Sequence, residues 1–297
     1  MKHTIFTGAA TAIITPMTET GVDYDTLGRL IDFQLEQGID ALVAAGTTGE
    51  GSTITDAEHE ELVRFCAGRI AKRVPLIAGT GSNNTAHAIE RTKTACKAGA
   101  DAVLLVTPYY NKTTQRGLIA SFTAVADESS VPCILYNVPS RTGLNMLPET
   151  LNVLADHPRI AAVKEACGNI SQVAKEMALC GDRLDVYSGN DDQTVPVMSL
   201  GGKGVISTVG NIVPGEMAEM CRRFFAGDVQ GAAALQLKLL SLMDQVMIET
   251  NPIPVKAACA AMGFGENRLR LPLVPMEEGN RQKLLQLMRE AGLEVKA

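Results

Sequence analysis

Short apolar runs alternate along the chain with longer segments whose apolar residues recur every three or four positions. The short runs are bounded by Gly, Asn, Ser or Thr, a pattern typical of buried β-strands. They begin mostly about 25 to 35 residues apart, which leaves room for one helix between successive strands. The eight predicted strands are 9–15, 41–45, 76–78, 102–107, 133–136, 160–164, 185–188 and 204–208.

The segments between these runs predict α-helices. Strict alternation of strand and helix predicts a parallel sheet, and nearly continuous apolar strands predict burial on both faces. Eight such units favour a closed barrel over an open, doubly wound sheet. At the start of the second helix, Asp56 is a candidate cap, with Glu58 and Glu60 near the positive end of the helix dipole. The clearest helical segments are 26–37, 56–71, 85–97 and 117–127.

From about residue 214 onward the pattern is purely helical, and no linker composition precedes it. We therefore expect an α/β fold, a (β/α)8 TIM barrel over residues 1–213 that contains the catalytic site. The helical extension over residues 214–297 should pack on the barrel as part of the same structural unit. Its predicted helices are 214–225, 229–248, 254–262 and 277–291.

Composition narrows the classes of partner. A net charge of −6, without a basic patch interleaved with aromatic residues, argues against nucleic acid. The seven cysteines are scattered and never spaced as C-x-x-C, as expected for reduced thiols in a cytoplasmic protein. The apolar stretch near the N-terminus is too short to span a bilayer and is interpreted as the first strand, so we expect no membrane association.

Lys164 is the strongest candidate for catalysis. It ends the run 160–164, and active sites of such barrels lie at the carboxyl ends of the strands. A neutral amine can attack a ketone to form an imine, which draws electrons from the adjacent carbon. Because a free lysine has a pKa of about 10.4, the amine must be desolvated to react near neutrality. An ion pair with a carboxylate such as Glu165 is the alternative interpretation.

Further polar residues lie where this chemistry would need them. Tyr136 ends the run 133–136 and could carry protons, although a tyrosine there could also serve in packing. Thr47 and Thr48, between glycines, can offer hydroxyl and N–H groups to a carboxylate, or form an ordinary turn. Arg141, in a predicted loop, suits a second carboxylate or a surface ion pair.

Metal and thiol chemistry fit the sequence less well. None of the four histidines follows a predicted strand, so a zinc site lacks ligands. Asp191 and Asp192 could bind magnesium together with Glu165. Capping of a helix after Asn190 is the simpler explanation for the two aspartates, and Cys167 has no histidine nearby to activate it, which favours packing. The histidines are His3, His59, His87 and His157.

Six motifs, in order along the chain, resemble the dihydrodipicolinate synthase family, also called 4-hydroxy-tetrahydrodipicolinate synthases. This family belongs to the pyruvate-dependent lyases that include N-acetylneuraminate lyase. The resemblance covers essentially the whole chain, and the six motifs together are far more specific than any one alone. They are 46–50 (GTTGE), 106–111 (VTPYYN), 136–142 (YNVPSRT), 163–166 (VKEA), 188–191 (SGND) and 204–207 (GVIS).

The resemblance implies that Lys164 forms an imine with pyruvate and that Tyr136 donates and accepts protons. Thr47 would link Tyr136 to Tyr110 in a hydroxyl relay, and Tyr110 would reach the site of a neighbouring subunit across a tight dimer interface. No cofactor beyond the covalent imine, and no metal, is implied. Members of the family are typically homotetramers, built as dimers of dimers.

The resemblance also implies a place for each substrate. Thr48 and Ile206, with Gly189 nearby, would hold pyruvate, and Arg141 would receive the carboxylate of L-aspartate 4-semialdehyde. The pyruvate enamine would attack the aldehyde, and the amine of the condensed product would displace Lys164 as the ring closes. The product, 4-hydroxy-tetrahydrodipicolinate, feeds lysine and diaminopimelate biosynthesis.

Some members of the family are inhibited by lysine at the dimer interface, and His59, Asn83 and Tyr109 match that allosteric pocket. His87 replaces a glutamate that can pair with the ammonium group of the effector, and Gly51 replaces a serine. Loss of a carboxylate opposite a partly buried ammonium weakens binding by about 2 kcal/mol or more. We therefore expect weak or absent inhibition by lysine.

Two other functions stay open at this point. A related aldolase for N-acetylneuraminate or a 2-keto-3-deoxy sugar acid would use the same lysine imine, although Arg141 and the adjacent Tyr109 and Tyr110 favour the synthase. A barrel that binds a keto acid and regulates a partner, without catalysis, would bind pyruvate reversibly and leave no trapped adduct.

Overall fold

The computed structural model describes residues 4–296, so His3 lies outside the described residues. Each of eight strands pairs in parallel with the next, and β8 pairs with β1, which closes the sheet into a barrel. The expected (β/α)8 TIM barrel is confirmed. The strands are β1 (Gly8–Ala12), β2 (Ala41–Ala44), β3 (Leu76–Gly79), β4 (Ala102–Val106), β5 (Cys133–Asn137), β6 (Ile160–Glu165), β7 (Asp185–Ser188) and β8 (Gly204–Ser207).

Helices flank the strands and continue beyond β8 as the extension. Those of the barrel are α1 (Tyr24–Glu36), α2 (Asp56–Ile70), α3 (Thr85–Ala98), α4 (Gln115–Asp127), α5 (Pro139–Thr142), α6 (Pro148–Leu154), α7 (Ile170–Cys180) and α8 (Thr194–Ser199), with short 3-10 helices at Asp191–Gln193 and Val209–Asn211. Those of the extension are α9 (Pro214–Phe225), α10 (Val229–Gln245), α11 (Ile253–Ala261) and α12 (Glu278–Glu290). None of the helices within residues 4–296 is both long and apolar enough to cross a bilayer.

The first strand ends at Ala12, three residues earlier than expected. The side chain of Asn211 accepts a hydrogen bond from the backbone N of Ile14 at 3.0 Å and donates to the carbonyl of Ala12 at 2.8 Å. Because a distant side chain satisfies these backbone groups, the strand stops although the run stays apolar.

The expected cap of α2 is wrong. The hydroxyl of Thr55, not the carboxylate of Asp56, accepts a hydrogen bond from the backbone N of Glu58 at 3.2 Å. The Glu58 carboxylate in turn accepts from the backbone N of Thr55 at 2.9 Å, which completes a reciprocal capping box. Asp56 lies in the first turn and pairs instead with His87 and Arg91.

The strands are buried on both faces, as their apolar runs predict. Inward side chains form one cluster inside the barrel, and outward side chains pack against the helices. Phe6, which precedes β1, stacks on Tyr187 with ring centres 4.2 Å apart, and the Tyr187 hydroxyl donates to the carbonyl of Phe6 at 2.6 Å. These two rings fill the amino end of the barrel, so room for a ligand lies at the carboxyl end.

Candidate active site

A cavity of about 370 Å³ opens at the carboxyl ends of the strands. Six residues singled out from the sequence line it, and they come from four different strand–helix units. The six are Thr47, Thr48, Tyr136, Arg141, Lys164 and Gly189. Closure of the barrel therefore brings together side chains that are far apart in the sequence.

Lys164 is buried on β6, and its amine forms no salt bridge or hydrogen bond with any described residue. Its Nζ lies 4.4 Å from the centre of the Tyr136 ring. A Cβ added at Gly189 would lie 3.1 Å from the lysine Cε, so the glycine leaves room for the stem. Burial lowers the pKa of Lys164 to about 8, with Asp191 opposing and Arg141 reinforcing the change. A useful fraction of the amine is therefore neutral near pH 7 to 8.

Glu165 follows Lys164 on the strand and points to the other face, so the ion pair considered as an alternative does not form. Its carboxylate accepts hydrogen bonds from Asn137 Nδ2 at 3.0 and 3.1 Å and from the backbone N of Cys167 at 2.7 Å. Burial, together with the adjacent Glu165, raises the pKa of Glu176 to about 9. The carboxyl groups of Glu165 and Glu176 therefore retain a proton at neutral pH, on the face of β6 opposite the Lys164 side chain.

Tyr136 lies beside Lys164 in the register of β5 and β6, and both side chains enter the same cavity. Burial raises the pKa of the phenol to about 12; Arg141 works against this change and Glu165 adds to it. The phenol consequently keeps its proton at neutral pH and can donate it to a leaving hydroxyl group.

The turn after β2 presents Thr47 and Thr48 to the cavity. Ala45 and Glu50, at its two ends, have φ angles of 54° and 53°, in the left-handed region that non-glycine residues rarely adopt. The Thr48 hydroxyl is buried and accepts a hydrogen bond from Asn251 Nδ2 at 2.9 Å. Sequence reasoning missed Asn251 because it lies in the extension, 203 residues from its partner, with no local motif to mark it.

Arg141 lies in α5, directly after β5, and lines both this cavity and a larger adjoining one of about 700 Å³. Within residues 4–296 its guanidinium forms no salt bridge, so the surface ion pair considered from the sequence is not present. The group is free to bind an anion in the cavity. Ile206, by contrast, is fully buried in the interior cluster that also contains Tyr136, and is not one of the residues that line the cavity.

Tyr110 has a φ of 66°, is 91% exposed, and lines the larger cavity together with Thr47 and Tyr136. In the described part of the chain, no hydrogen bond joins the hydroxyls of these three residues. Within one copy of the chain, the three residues of the expected relay therefore lie along a common cavity, but hydrogen bonds do not connect their hydroxyl groups.

The four residues expected in an allosteric pocket do not share one environment, because His59 is buried apart from the other three. His87 and Tyr109 line the larger cavity. Asn83 donates from Nδ2 to the carbonyl of Tyr109 at 3.3 Å. His59 is buried with Nε2 2.8 Å from the carbonyl of Gly79, and burial lowers its pKa to about 4. The His59 ring is therefore neutral, donates to that carbonyl, and supports the fold rather than facing the cavity.

Asp191 caps a helix, but not the one that follows Asn190. Its Oδ2 accepts hydrogen bonds from the backbone N of Thr208 at 3.1 Å and of Val209 at 2.8 Å, at the start of the 3-10 helix after β8. Burial raises the pKa of the Cys167 thiol to about 12, which makes it a poor nucleophile. Across residues 4–296, no three His, Cys, Asp or Glu side chains are grouped to hold a metal ion.

Comparison with known sequences gives a full-length match. The model of the Dihydrodipicolinate synthetase family matches residues 5–291. The 4-hydroxy-tetrahydrodipicolinate synthase of Geobacter sulfurreducens is 52% identical over 286 residues, which cover 96% of this chain and 99% of the relative. The enzyme of the same name from Caldicellulosiruptor saccharolyticus is 53% identical over 293 residues, covering 98% of this chain and 99% of the relative.

Solved structures of dihydrodipicolinate synthases are also closely similar to this chain. Dihydrodipicolinate synthase from Aquifex aeolicus superimposes with a TM-score of 0.96 at 43% identity, covering 98% of this chain and 100% of that chain. The chloride-inhibited dihydrodipicolinate synthase from Acinetobacter baumannii, complexed with pyruvate, gives a TM-score of 0.95 at 43% identity with the same coverage. The family resemblance read from six sequence motifs is thereby confirmed, and the chain belongs to the dihydrodipicolinate synthetase family.

Proposed function

We propose that this protein is a lyase that condenses pyruvate with L-aspartate 4-semialdehyde, through an imine on Lys164, to give 4-hydroxy-tetrahydrodipicolinate. The observation that carries the proposal is the buried, unpaired amine of Lys164, with its pKa of about 8, against the ring of Tyr136. Relatives about half identical over nearly the whole chain bear the name of this synthase, which favours it over a sugar-acid aldolase.

In the first half of the reaction, the neutral amine of Lys164 attacks the keto carbon of pyruvate. Tyr136 retains its proton at neutral pH and gives it to the hydroxyl group that leaves as water. The resulting iminium draws electrons from the adjacent methyl carbon, which loses a proton and becomes an enamine. We propose no further cofactor and no metal, because the covalent imine is itself the electron sink.

In the second half, the enamine carbon attacks the aldehyde of the second substrate. Thr47 and Thr48 offer hydroxyl and N–H donors to the pyruvate carboxylate, while Gly189 and Ile206 shape the space around it. Arg141, whose guanidinium has no partner in residues 4–296, binds the carboxylate of the semialdehyde. The amine of the condensed product then displaces the lysine as the ring closes, which restores the free enzyme.

We propose a homotetramer, a dimer of dimers, in which Tyr110 completes the hydroxyl relay of a neighbouring subunit. The exposure of Tyr110 and its place on a cavity shared with Thr47 and Tyr136 support this arrangement. We also propose that the protein acts in the cytoplasm in lysine and diaminopimelate biosynthesis, in keeping with its seven free cysteines. Residues 1–213 and 214–297 are proposed as barrel and extension of one structural unit.

We propose that lysine is at most a weak effector. His87, at the position where lysine-sensitive relatives carry a glutamate, lies on the wall of the larger cavity and pairs with Asp56. An incoming ammonium group therefore meets an imidazole and a carboxylate that already has a partner. Half-inhibition at sub-millimolar lysine in a steady-state assay would contradict this proposal.

Reduction with borohydride in the presence of pyruvate tests the proposed chemistry. Peptide mass mapping should place the reduced pyruvyl adduct on Lys164, and Lys164→Arg should leave that peptide unmodified. The substrate is tested separately, by product formation from pyruvate plus aspartate semialdehyde against pyruvate release from sugar acids. An active enzyme whose peptide around residue 164 is never labelled would refute the mechanism.

A further inference from the structure

The turn that carries Thr47 and Thr48 is held from outside the barrel by a buried ion pair. Glu50, at the end of the turn, and Lys256, on α11, form a salt bridge in which both side chains are about as buried as any in the core. Lys256 Nζ also donates to the carbonyl of Arg268 at 2.6 Å. Glu50 Oε2 also accepts from the backbone N of Arg270 at 3.1 Å.

A second contact from the extension reaches the same turn. Asn251 lies in the loop between α10 and α11, and this loop forms part of the cavity wall. Its Nδ2 donates to the hydroxyl of Thr48, and both side chains are buried. The loop is anchored on its other side, because the Glu249 carboxylate accepts hydrogen bonds from the backbone N of Glu277 at 3.1 Å and from Asn280 Nδ2 at 2.8 Å.

The turn needs external support because its own backbone disfavours this shape. Ala45 and Glu50 both have left-handed φ angles, which L-residues adopt only when the surroundings impose them. Such conformations persist at sites whose geometry serves function. The two contacts with the extension are made at Thr48 and Glu50, both within three residues of Thr47. A change in either contact should therefore shift the positions of the two threonine side chains.

We propose that Lys256 and Asn251 are positioning residues that set the Thr47–Thr48 turn for binding of the pyruvate carboxylate, so that the extension is part of the binding machinery. This inference rests on the proposed function, which places that carboxylate on the turn. Neither residue needs to touch pyruvate for the effect, since each acts through a side chain of the turn. A purely structural role would lower stability without changing the affinity for pyruvate.

The test compares Asn251→Leu and Lys256→Met with the wild type and with Met288→Ala. Met288 is fully buried on α12, which packs against α10 and α11 of the same extension, so this control lowers stability by removing core packing. The readouts are the melting temperature, the pyruvate concentration that gives half-maximal borohydride trapping, and the KM for aspartate semialdehyde. Because Lys256→Met leaves Glu50 buried without a partner and could prevent folding, Glu50→Gln/Lys256→Met, which removes both charges, is measured beside it.

The expected result is a rise of about five- to tenfold in half-saturating pyruvate for Asn251→Leu and for the double variant. The KM for aspartate semialdehyde should stay within about twofold, and Met288→Ala should change only the melting temperature. Unchanged pyruvate saturation in both turn variants, with wild-type trapping intact, would overturn this inference alone. Failure of the wild type to form any adduct at Lys164 would overturn the proposed function and this inference with it.

Discussion

Two buried lysines lie near the turn that carries Thr47 and Thr48: Lys256 contacts the turn through Glu50, and Lys164 lines the same cavity as the turn. Their surroundings differ in one respect. Lys256, at the junction of barrel and extension, forms a salt bridge with Glu50, whose carboxylate opposes the lowering of its pKa by burial. Lys164, at the barrel mouth, is equally enclosed but has no such partner in residues 4–296, and its pKa falls to about 8. Burial alone does not make a lysine a nucleophile. Burial without a paired carboxylate does, because no salt bridge then offsets the lowering of the pKa of the amine.

The largest expected effects come from replacing each lysine by methionine, which should change the free energy of unfolding in opposite directions. Lys164→Met should reduce condensation by about a thousandfold or more, because no other amine can form the imine. The same change should raise the free energy of unfolding at pH 7 by about 3 kcal/mol, since each unit of pKa depression is worth about 1.4 kcal/mol. Lys256→Met should instead lower it by about 3–5 kcal/mol, because Glu50 would lose its partner.

Urea unfolding at pH 7 and at pH 10.5 checks these signs. The amine of Lys164 has a lower pKa in the folded chain than in the unfolded chain, where it is 10.5. The penalty for burying its charge is therefore full below about pH 8 and fades as the pH rises toward 10.5. The stabilisation by Lys164→Met should shrink over that window. A destabilised Lys164→Met at pH 7 would remove the distinction between the two lysines.

The next largest effect concerns the carboxylate of the second substrate. Arg141→Ala should lower kcat/KM for aspartate semialdehyde about a hundredfold, because a charge-assisted, two-pronged contact is lost. Trapping of pyruvate on Lys164 should persist, since that step precedes entry of the semialdehyde. Arg223→Ala, an exposed ion-pair residue on α9, serves as the control. Equal kcat/KM values for the wild type and Arg141→Ala would show that Arg141 does not bind the carboxylate of the second substrate.

A smaller effect appears in the pH dependence of imine formation. Below about pH 8 the Lys164 amine is mostly protonated, so the trapping rate should rise about tenfold per pH unit and then level off. Arg141 helps to lower the pKa of this amine, so Arg141→Ala should move the inflection to higher pH. Rapid trapping over pH 6–9 at low pyruvate measures both. A rate that is flat from pH 6 to 8 would mean that the amine is not the titrating group.

The smallest expected effect lies behind the strand of Lys164, where two carboxyls replace the lysine–carboxylate pair seen at Lys256. Glu176 has a folded pKa of about 9 against 4.5 when unfolded, so the stability from its retained proton is lost as the pH rises from about 4.5 to 9. Glu176→Gln keeps the hydrogen-bonding shape without a titrating proton. Urea unfolding between pH 5 and 9 should show a fall about 1–3 kcal/mol smaller than in wild type. An unchanged slope would show that Glu176 does not titrate in this range.

Local sequence patterns predicted the barrel because each parallel strand, buried on both faces, corresponds to one short apolar run in the sequence. The same logic placed Lys164 and Tyr136 at strand ends, and the closed sheet brings both to one cavity. Residue type does not identify the cap of α2, since Thr55 and Asp56 are both good caps. Only backbone geometry distinguishes the two.

Contacts over long sequence separations were beyond local reasoning. Asn251 and Lys256 meet the turn at separations of 203 and 206 residues, and their own segments read as ordinary helix and loop. The expected capping of the helix after Asn190 is wrong, because the Asp191 carboxylate accepts hydrogen bonds at the start of the 3-10 helix after the neighbouring strand β8 instead, 17 and 18 residues later. Sequence patterns specify which elements form; packing of the extension on the barrel decides which side chains meet.

The stacked rings of Phe6 and Tyr187 have a consequence for the traffic of molecules. They pack in the interior cluster at the amino end of the barrel, whereas the cavity that contains Lys164 opens at the carboxyl end. Pyruvate must be seated before the longer substrate occupies the entrance, and the water released by imine formation must depart before that entrance fills. Both substrates thus approach from the carboxyl end, and the need to form the enamine before the aldehyde can react sets their order of arrival.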